Sequence, residues 1–555
     1  MSQHAPTASE VKMISVSSIM ADTKEMIDDL KAVCVHYGLG GASSEYKIIT
    51  EVFLYKFLND KFLYELRAAV PDLAECKNLE KELEKMPDED YELLLLSLPA
   101  STAKLKREHF LSNLYNQQNE EKFDVLFDNT LVGIAQDNIA VFSVQSGDAS
   151  RIRLFDALSP FIVDQSKRPD FCRAIVNKLV AFSFEQVFAQ KYDFFAAIFE
   201  YLIKDYNKDF GKYAEYYTPH SIATIIAKVL CPHGTRNVTV YDPAAGTGTL
   251  VLALAHQIGE QNCTIYTQDI SQKSNELLRM NLILNNLVHS LNHAIQGDTL
   301  VSPRHLNRRK NGLMLFDYIV SNPPFNMDFS ETQETLAGDN YKDRFWAGVP
   351  KVPNKKKEGM AIYQLFLQHI IVSLNEGGKA AVVVPTGFLT ASSGIPLAIR
   401  YRLVEKRMLR GVISMPSNIF ATTGTNVSIV FIDGENKDGD VILMDASKLG
   451  HKEKVDGKNQ KTVLEQHEIA HIITTFNNAD NVNDFCVATS YDQIKSKKYS
   501  FSAGQYFDVK IDRIDITHDE FTNKLVDFTS RLEHLLEESK KIDKEILMRI
   551  KQVKI

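Results

Sequence analysis

The chain has 555 residues, 44% of them hydrophobic, and 71 acidic against 63 basic side chains give it a net charge of −8. Single domains usually run about 100–200 residues, so more than one buried core is expected. The acidic balance excludes a chain that coats nucleic acid with its whole surface, because neutralising phosphates takes clustered Lys and Arg.

No run of about 18 apolar residues occurs, and no basic leader precedes an apolar stretch, so a cytoplasmic, unexported protein is expected. The six cysteines (Cys34, Cys76, Cys172, Cys231, Cys263 and Cys486) are scattered without a C-x-x-C pair. They read as reduced thiols, and neither a disulfide framework nor a metal site is expected.

Residues 1–165 read as a helical N-terminal domain: Lys47 to Tyr64 (KIITEVFLYKFLNDKFLY) has apolar residues at helical spacing. Residues 166–435 form the second predicted domain. It continues helical through Asp193 to Asp205, then passes Tyr216-Tyr217-Thr218-Pro219 into an amphipathic helix, Ser221 to Leu230. The pattern then changes to short apolar runs at Val238–Asp242, Thr264–Asp269, His293–Gly297, Asp317–Asn322, Ala380–Pro385, Gly411–Met415 and Val427–Asp433. Seven strands with helix-length crossovers predict an α/β fold with a largely parallel, Rossmann-like sheet. Ligands of such sheets lie outside the carboxyl ends of the strands, a rule that selects Asp242, Asp269, Asp298 and Asn322.

Two basic runs, Arg304 to Lys310 and Lys351 to Lys357, read either as solvated loops or as local contact surfaces. Residues 436–516 form a C-terminal extension, and 517–555 a long amphipathic helix. That helix opens on a capping box, Thr517-x-x-Glu520, followed by Phe521, Leu525, Phe528, Leu532, Leu535, Ser539, Ile542 and Ile546 at alternating spacings of four and three that draw an apolar seam. The seam suits either packing on the parent domain or docking to another subunit.

The segment VTVYDPAAGTGTL is a strand ending in Asp242-Pro and opening through Gly246-x-Gly248 into a helix, a turn that lets a ligand approach the backbone closely. Position 251 is Val, where a dinucleotide fingerprint has its third glycine, and no Gly-Lys-Ser/Thr follows to neutralise phosphates. The next strand ends at Asp269, placed to accept hydrogen bonds from ribose hydroxyls. These features suit an adenosine with a zwitterionic amino-acid tail.

Asn322-Pro323-Pro324-Phe325 follows directly on a buried strand. The Asn322 side-chain oxygen and the Pro323 carbonyl can accept the two N–H bonds of an exocyclic amino group. The prolines stiffen the turn and remove competing donors, and Phe325 offers a ring for an unstacked base. Cytosine-C5 chemistry needs a Pro-Cys loop after the fourth strand, and Cys231-Pro232 has the wrong order and place.

The first of these motifs resembles the cofactor loop of class I S-adenosylmethionine methyltransferases. That resemblance implies that Asp242, Ala244, Gly246, Thr247 and Gly248 wrap the methionine part, that Asp269 binds ribose, that Asp298 contacts adenine, and that Glu215-Tyr216-Tyr217-Thr218-Pro219 closes over the cofactor. Over nearly the whole chain, FLYKFLNDKF, DFFAAIFEYL, EYYTP, DPAAGTGTL, QDISQKSNELLRMNL, GDTL, NPPF, DRF, EGGKAAVVVPTGFL and PSNIFATTGTNVSIVFI are similar to the modification subunits of type I restriction-modification systems. Ala245, Thr249 and GMAIYQL at Gly359 to Leu365 depart mildly from that pattern.

Membership implies methyl transfer from S-adenosyl-L-methionine to N6 of a flipped-out adenine in double-stranded DNA. Phe420 matches a position that supplies a second aromatic to the base pocket. The implied partners are a specificity subunit and a restriction (ATPase/nuclease) subunit, with two copies of this chain per methyltransferase complex. Only about 120 residues follow the last predicted strand, too few for a further recognition domain beside the terminal helix, which agrees with sequence reading by a partner. The loop Phe325 to Lys357 either closes on DNA or is a disordered insertion. A protein or RNA amide methyltransferase and a non-catalytic cofactor-binding scaffold stand as alternatives.

Overall fold

A computed structural model describes residues 16–145, 151–185, 218–420, 426–455, 459–507 and 516–552, apart from residues 42, 75 and 77, together with residues 188, 198 and 201. The described part divides into two compact units, residues 1–506 and 507–555. Among the described residues, no helix is long and apolar enough to cross a membrane.

The first unit opens with helices α1 (Val16–His36), α2 (Ser43–Ala69), α3 (Phe123–Asp137) and α4 (Arg168–Val180), with shorter helices between them. The helical spacing of residues 47–64 falls inside α2, where Ile48, Val52, Tyr55, Leu58 and Phe62 are buried. Helix α5 (His220–Leu230) leads into the sheet, as its apolar face and leading Thr-Pro predict.

The sheet strands are β1 (Val238–Asp242), β2 (Cys263–Asp269), β3 (Ala294–Gln296), β4 (Phe316–Ser321), β5 (Leu374–Pro385), β6 (Leu409–Ser414), β7 (Val427–Asp433), β8 (Val441–Asp445) and β9 (Cys486–Thr489). All seven predicted strands are present, and β8 and β9, from the extension after residue 435, lengthen the same sheet. The order is β9-β8-β6-β7-β5-β4-β1-β2-β3. Strands β3, β2, β1, β4 and β5 are mutually parallel, β7 runs antiparallel between β5 and β6, and β9 is antiparallel to β8. The runs AVVV in β5 and VSIVFI in β7 are buried throughout, as strands covered on both faces must be. Crossovers run through α6 (Thr249–Ile258), α7 (Gln272–Leu284), α8 (Tyr363–Val372) and α9 (Gly394–Glu405), while α10 (Gln466–Asn478) packs beside α5. The order reverses between β1 and β4, and the crevice at their carboxyl ends is where such sheets bind ligands.

The helical region and the sheet share one core, and α7 joins them. One side of this helix meets the glycine turn after β1, and from the other Arg279 reaches the N-terminal region. The Arg279 Nη2 donates to the carbonyls of Phe142 (2.9 Å), Ile152 and Arg153 (3.4 Å each), and burial lowers the pKa of its guanidinium to about 10.

In the second unit, α11 (His518–Gln552) begins at the predicted capping box: Thr517 N donates to Glu520 Oε2 (2.9 Å) and Glu520 N to Thr517 Oγ1 (3.3 Å). Its seam residues Phe521, Leu525, Phe528, Leu532, Leu535, Ile542 and Ile546 are half or more exposed.

Arg279→Ala strips three carbonyls of a charged donor. We expect it to cost about 1–3 kcal/mol, measured as a lower denaturation midpoint, and an unchanged midpoint would mean that Arg279 does not tie the two regions together.

Candidate active site

At the end of β1 the chain must turn sharply into α6, and it does so with Gly246 at φ 52° and Gly248 at φ 86°, both in the left-handed region. A Cβ on Gly248 would also stand 2.3 Å from Leu278 Cδ1 of α7, so glycine is needed there for both conformation and packing. The Asp269 carboxylate at the end of β2 accepts from Gly246 N through Oδ2 and from Ser271 N through Oδ1, each at 2.8 Å. Asp298, after β3, accepts from Leu300 N (2.8 Å) and Val301 N (3.1 Å), and the neighbouring Thr299 Oγ1 donates to the Pro243 carbonyl at 2.6 Å. Three strand ends are thereby cross-braced around one loop.

The fourth strand end joins them. Ser321 Oγ, the last residue of β4, donates to Asp242 Oδ1 (2.9 Å), which also accepts from Ala244 N (2.9 Å). The next residue, Asn322, is 7% exposed, and its Nδ2 donates to Thr218 Oγ1 at 3.2 Å. That bond fixes the orientation of the carboxamide.

Of the residues picked out from sequence, Ala244, Gly246, Thr247, Asp269, Asp298, Asn322 and Pro324 line one cleft. Asp242 and Thr218 line a small cavity beside it, shared with Ala244, Thr247 and Asn322. Pro323 is buried, Phe325 is half-buried against the main core, and Pro219 caps α5. Phe420 is 5% exposed and belongs to the core. Glu215, Tyr216 and Tyr217, like the segment DFFAAIFEYL apart from Ile198 and Tyr201, lie outside the described residues.

Several lining residues were not foreseen. Ile270, Ser271 and Thr299 directly follow selected strand-end residues, so a wider strand-end window would have found them. Ser274 and Leu277 come from α7, Met327 and Ile362 from the segment between β4 and α8, and Phe366 from α8 itself. That segment is folded: Phe329, Leu336, Phe345, Met360 and Ile362 form a small core with Leu300, Leu365 and Phe366. Arg344, buried beneath the rings of Tyr341 and Phe345, donates to the carbonyls of Thr299 and Leu300, and Tyr341 Oη donates to the Val301 carbonyl (2.8 Å). Trp346 stacks under Arg402 at 4.2 Å. The lysines at 351 and 355–357 are exposed.

Residues 190–513 match the family described as N-6 DNA Methylase. The chain belongs to that family. It is 26% identical over 517 residues to the type I restriction enzyme MpnII methylase subunit of Mycoplasma pneumoniae, covering 88% of this chain and 91% of that protein. With the type I restriction enzyme MjaIX methylase subunit of Methanocaldococcus jannaschii it shares 27% identity over 389 residues, 67% of this chain and 65% of that one. Among solved structures, the type I restriction-modification system methyltransferase subunit from Streptococcus thermophilus aligns with a TM-score of 0.68, over 89% of this chain and 100% of that one, at 20% identity. That likeness extends to the helical N-terminal region as well as the sheet.

For an N-6 DNA methylase, the charge of the cleft is informative. None of the side chains lining it among the described residues is basic, while Asp269 and Asp298 line it and the buried Asp242 stands beside it. Burial pushes the Asp242 carboxyl up to about 7, opposed by its two donors and helped by the neighbouring Asp269. Burial likewise raises Asp269, against the amides of Ser271 and Gly246. Such a site repels polyphosphates and favours a cationic ligand, and Ile270, Leu300, Ile362 and Phe366 supply apolar surface for a flat ring.

The shift has a consequence for stability. The folded Asp242 holds its proton from about pH 4 to about pH 7 while the unfolded one has lost it, so ligand-free stability falls as pH rises through that window. Asp242→Asn keeps an acceptor for Ala244 N and Ser321 Oγ but carries no charge. It is expected to be more stable than the parent at about pH 8, by up to a few kcal/mol at about 1.4 kcal/mol per pKa unit, with the gain shrinking toward pH 4. Thermal melts across this range test it, and a variant less stable at pH 8 would contradict the buried-charge reading.

Proposed function

We propose that the chain transfers a methyl group from S-adenosyl-L-methionine to N6 of an adenine in double-stranded DNA, as the modification subunit of a type I restriction-modification complex. The observation that carries the reading is the Asn322 carboxamide at the edge of an acid-lined cleft, with its Nδ2 bonded to Thr218. When bound, S-adenosyl-L-methionine supplies an electrophilic methyl on a cationic sulfur. The Asp242 and Asp269 carboxylates suit that positive charge and the ribose hydroxyls respectively, with Asp298 beside the adenine end.

An adenine amino group is a weak nucleophile because its lone pair is delocalised into the ring. Asn322 Oδ1 and the Pro323 carbonyl accept its two N–H bonds, turning the lone pair toward the cleft, and catalysis is mainly positioning. The base must leave the duplex to reach Asn322, and Phe325, with Phe420 after a local rearrangement, offers rings for it, each stack contributing about 1–3 kcal/mol. The Thr218 contact gives the closing segment a second duty, because the same stretch that covers the cofactor also holds the carboxamide.

Asn322→Ala is expected to abolish methyl transfer and leave cofactor affinity within about twofold, whereas Asp269→Ala weakens cofactor binding at least tenfold, about 1.4 kcal/mol. Labelled-methyl transfer to duplex DNA and calorimetric titration of the cofactor separate the two. Full activity in the Asn322 variant would sink the mechanism.

The assembly reading rests on similarity across almost the whole length of a protein named as a type I methylase subunit and on the exposed seam of α11. We assign residues 517–555 to docking a specificity subunit that reads the DNA sequence, with two copies of this chain per methyltransferase and a restriction subunit joining them. A chain lacking residues 517–555 is expected to keep its cofactor affinity and to lose co-elution with the specificity subunit. Unchanged co-elution would place the docking surface elsewhere.

A further inference from the structure

Between β8 and α10 the chain leaves the sheet as a two-stranded ribbon, His451–Val455 paired antiparallel with Asn459–Val463. The ribbon rises from the carboxyl end of β8, which is parallel to β6, the same edge on which β1 and β4 present Asp242 and Asn322. Its root is fixed. Thr462 Oγ1 donates to the Ser417 carbonyl (2.6 Å) and Thr462 N to the Asn418 carbonyl (3.0 Å), in the loop that carries Phe420. Gly450, at φ 82°, donates its N–H to Glu468 of α10 (2.8 Å), and a Cβ there would meet Val463 O at 2.8 Å.

The register sorts the charges. Lys452 pairs with Thr462 and Lys454 with Gln460, so alternation puts both lysines on the face whose Thr462 turns toward Ser417. Glu453 lies on the opposite face, across from Lys461, and is hydrogen-bonded to His451 Nε2 (3.0 Å). Both lysines are exposed. A chain of net charge −8 thus presents, at this edge, a stiffly rooted ribbon whose described residues place two lysines and no acid on one face, and Glu453 with Lys461 and His451 on the other.

Resting on the proposed DNA reading, we infer that the Lys452/Lys454 face of this ribbon contacts the phosphate backbone of the target duplex beside the base delivered to Asn322. Strands β4 and β6 are separated by three strand spacings, about 14 Å along the edge, comparable with a major groove of about 12 Å. A duplex lying over Asn322 therefore brings phosphates to the loop at Ser417 and the ribbon above it.

The test is duplex binding by the full chain, followed by fluorescence anisotropy between about 50 and 200 mM salt. K452E/K454E, and the neutral K452Q/K454Q, should weaken binding on the order of tenfold at the lower salt. The neutral pair should also flatten the dependence of log affinity on log salt by about 2, near 0.9 per phosphate contact. Cofactor affinity and melting temperature should not move. K406E/K437E makes the same charge change at the amino edge of the sheet, where both lysines are exposed, and should leave binding within about twofold. Equal losses in the two charge-reversed pairs, or no loss in either ribbon pair, overturn the ribbon contact. If the parent chain still methylates adenine under those outcomes, the proposed function survives. A parent that neither binds duplex nor, with its specificity subunit, transfers methyl groups overturns both.

Discussion

The catalytic edge is organised around one unfavourable act, the burial of the Asp242 carboxylate at the end of β1. An isolated buried charge is expensive, and the structure answers with two donors on the same oxygen, Ala244 N from the loop ahead and Ser321 Oγ from the neighbouring strand. The second bond decides the rest. Ser321 immediately precedes Asn322, so the group that shapes the cofactor loop also sets the height at which the carboxamide emerges. Asp269, held by Gly246 N, and Thr299, held on Pro243, bring β2 and β3 to the same loop. Displacing Asp242 would therefore disturb both the turn after β1 and the position of Asn322, the two halves of the site under the proposed function.

This coupling explains why the parallel part of the fold was so legible. Strands buried on both faces must be apolar from end to end, and a residue that leaves such a strand for a ligand must be polar, so the run VTVYD or FDYIVSN states both facts locally. Asp242, Asp269, Asp298 and Asn322 follow from that contrast alone. The turn glycines were equally visible because positive φ narrows the choice of residue.

What stayed hidden depends on contacts distant in sequence. Strands β8 and β9 are five and four residues long, and the sheet edge they extend exists only once β6 is in place. The segment after Phe325 reads either as a loop that closes on DNA or as a disordered insertion, with no sign of a core of its own. Its core forms against α8 and the distant Leu300, and its Arg344 donates to carbonyls of the β3 loop, more than 40 residues away. Arg400 is hidden in the same way: a charged residue on a helix predicts solvent, yet it is buried and donates to the carbonyls of Phe388 and Ala391, fixing the loop after β5. Thr218 was read as cofactor-facing from its motif, while its hydroxyl meets Asn322 across 104 residues. Phe420 shows the opposite limit, since an aromatic in a motif and an aromatic in a core are spelled alike.

The distribution of charge gives the fold a direction. Net negative charge repels DNA from most of the surface, and a cleft lined without cations does not compete for its phosphates. Exposed lysines stand at the edge where the parallel strands end, those at 351 and 355–357 on the segment after Asn322 and Lys452 and Lys454 on the ribbon, although others, Lys406 and Lys437 among them, are exposed at the opposite edge. On the proposed function, local attraction at the first group steers a nearby polyanion, an effect that works at a Debye length of about 8–10 Å near physiological salt. Such steering orients a duplex without selecting among sequences, because phosphate contacts are the same at every base pair. On the proposed function, a chain built this way positions an adenine, and the choice among adenines falls to a surface that reads base edges.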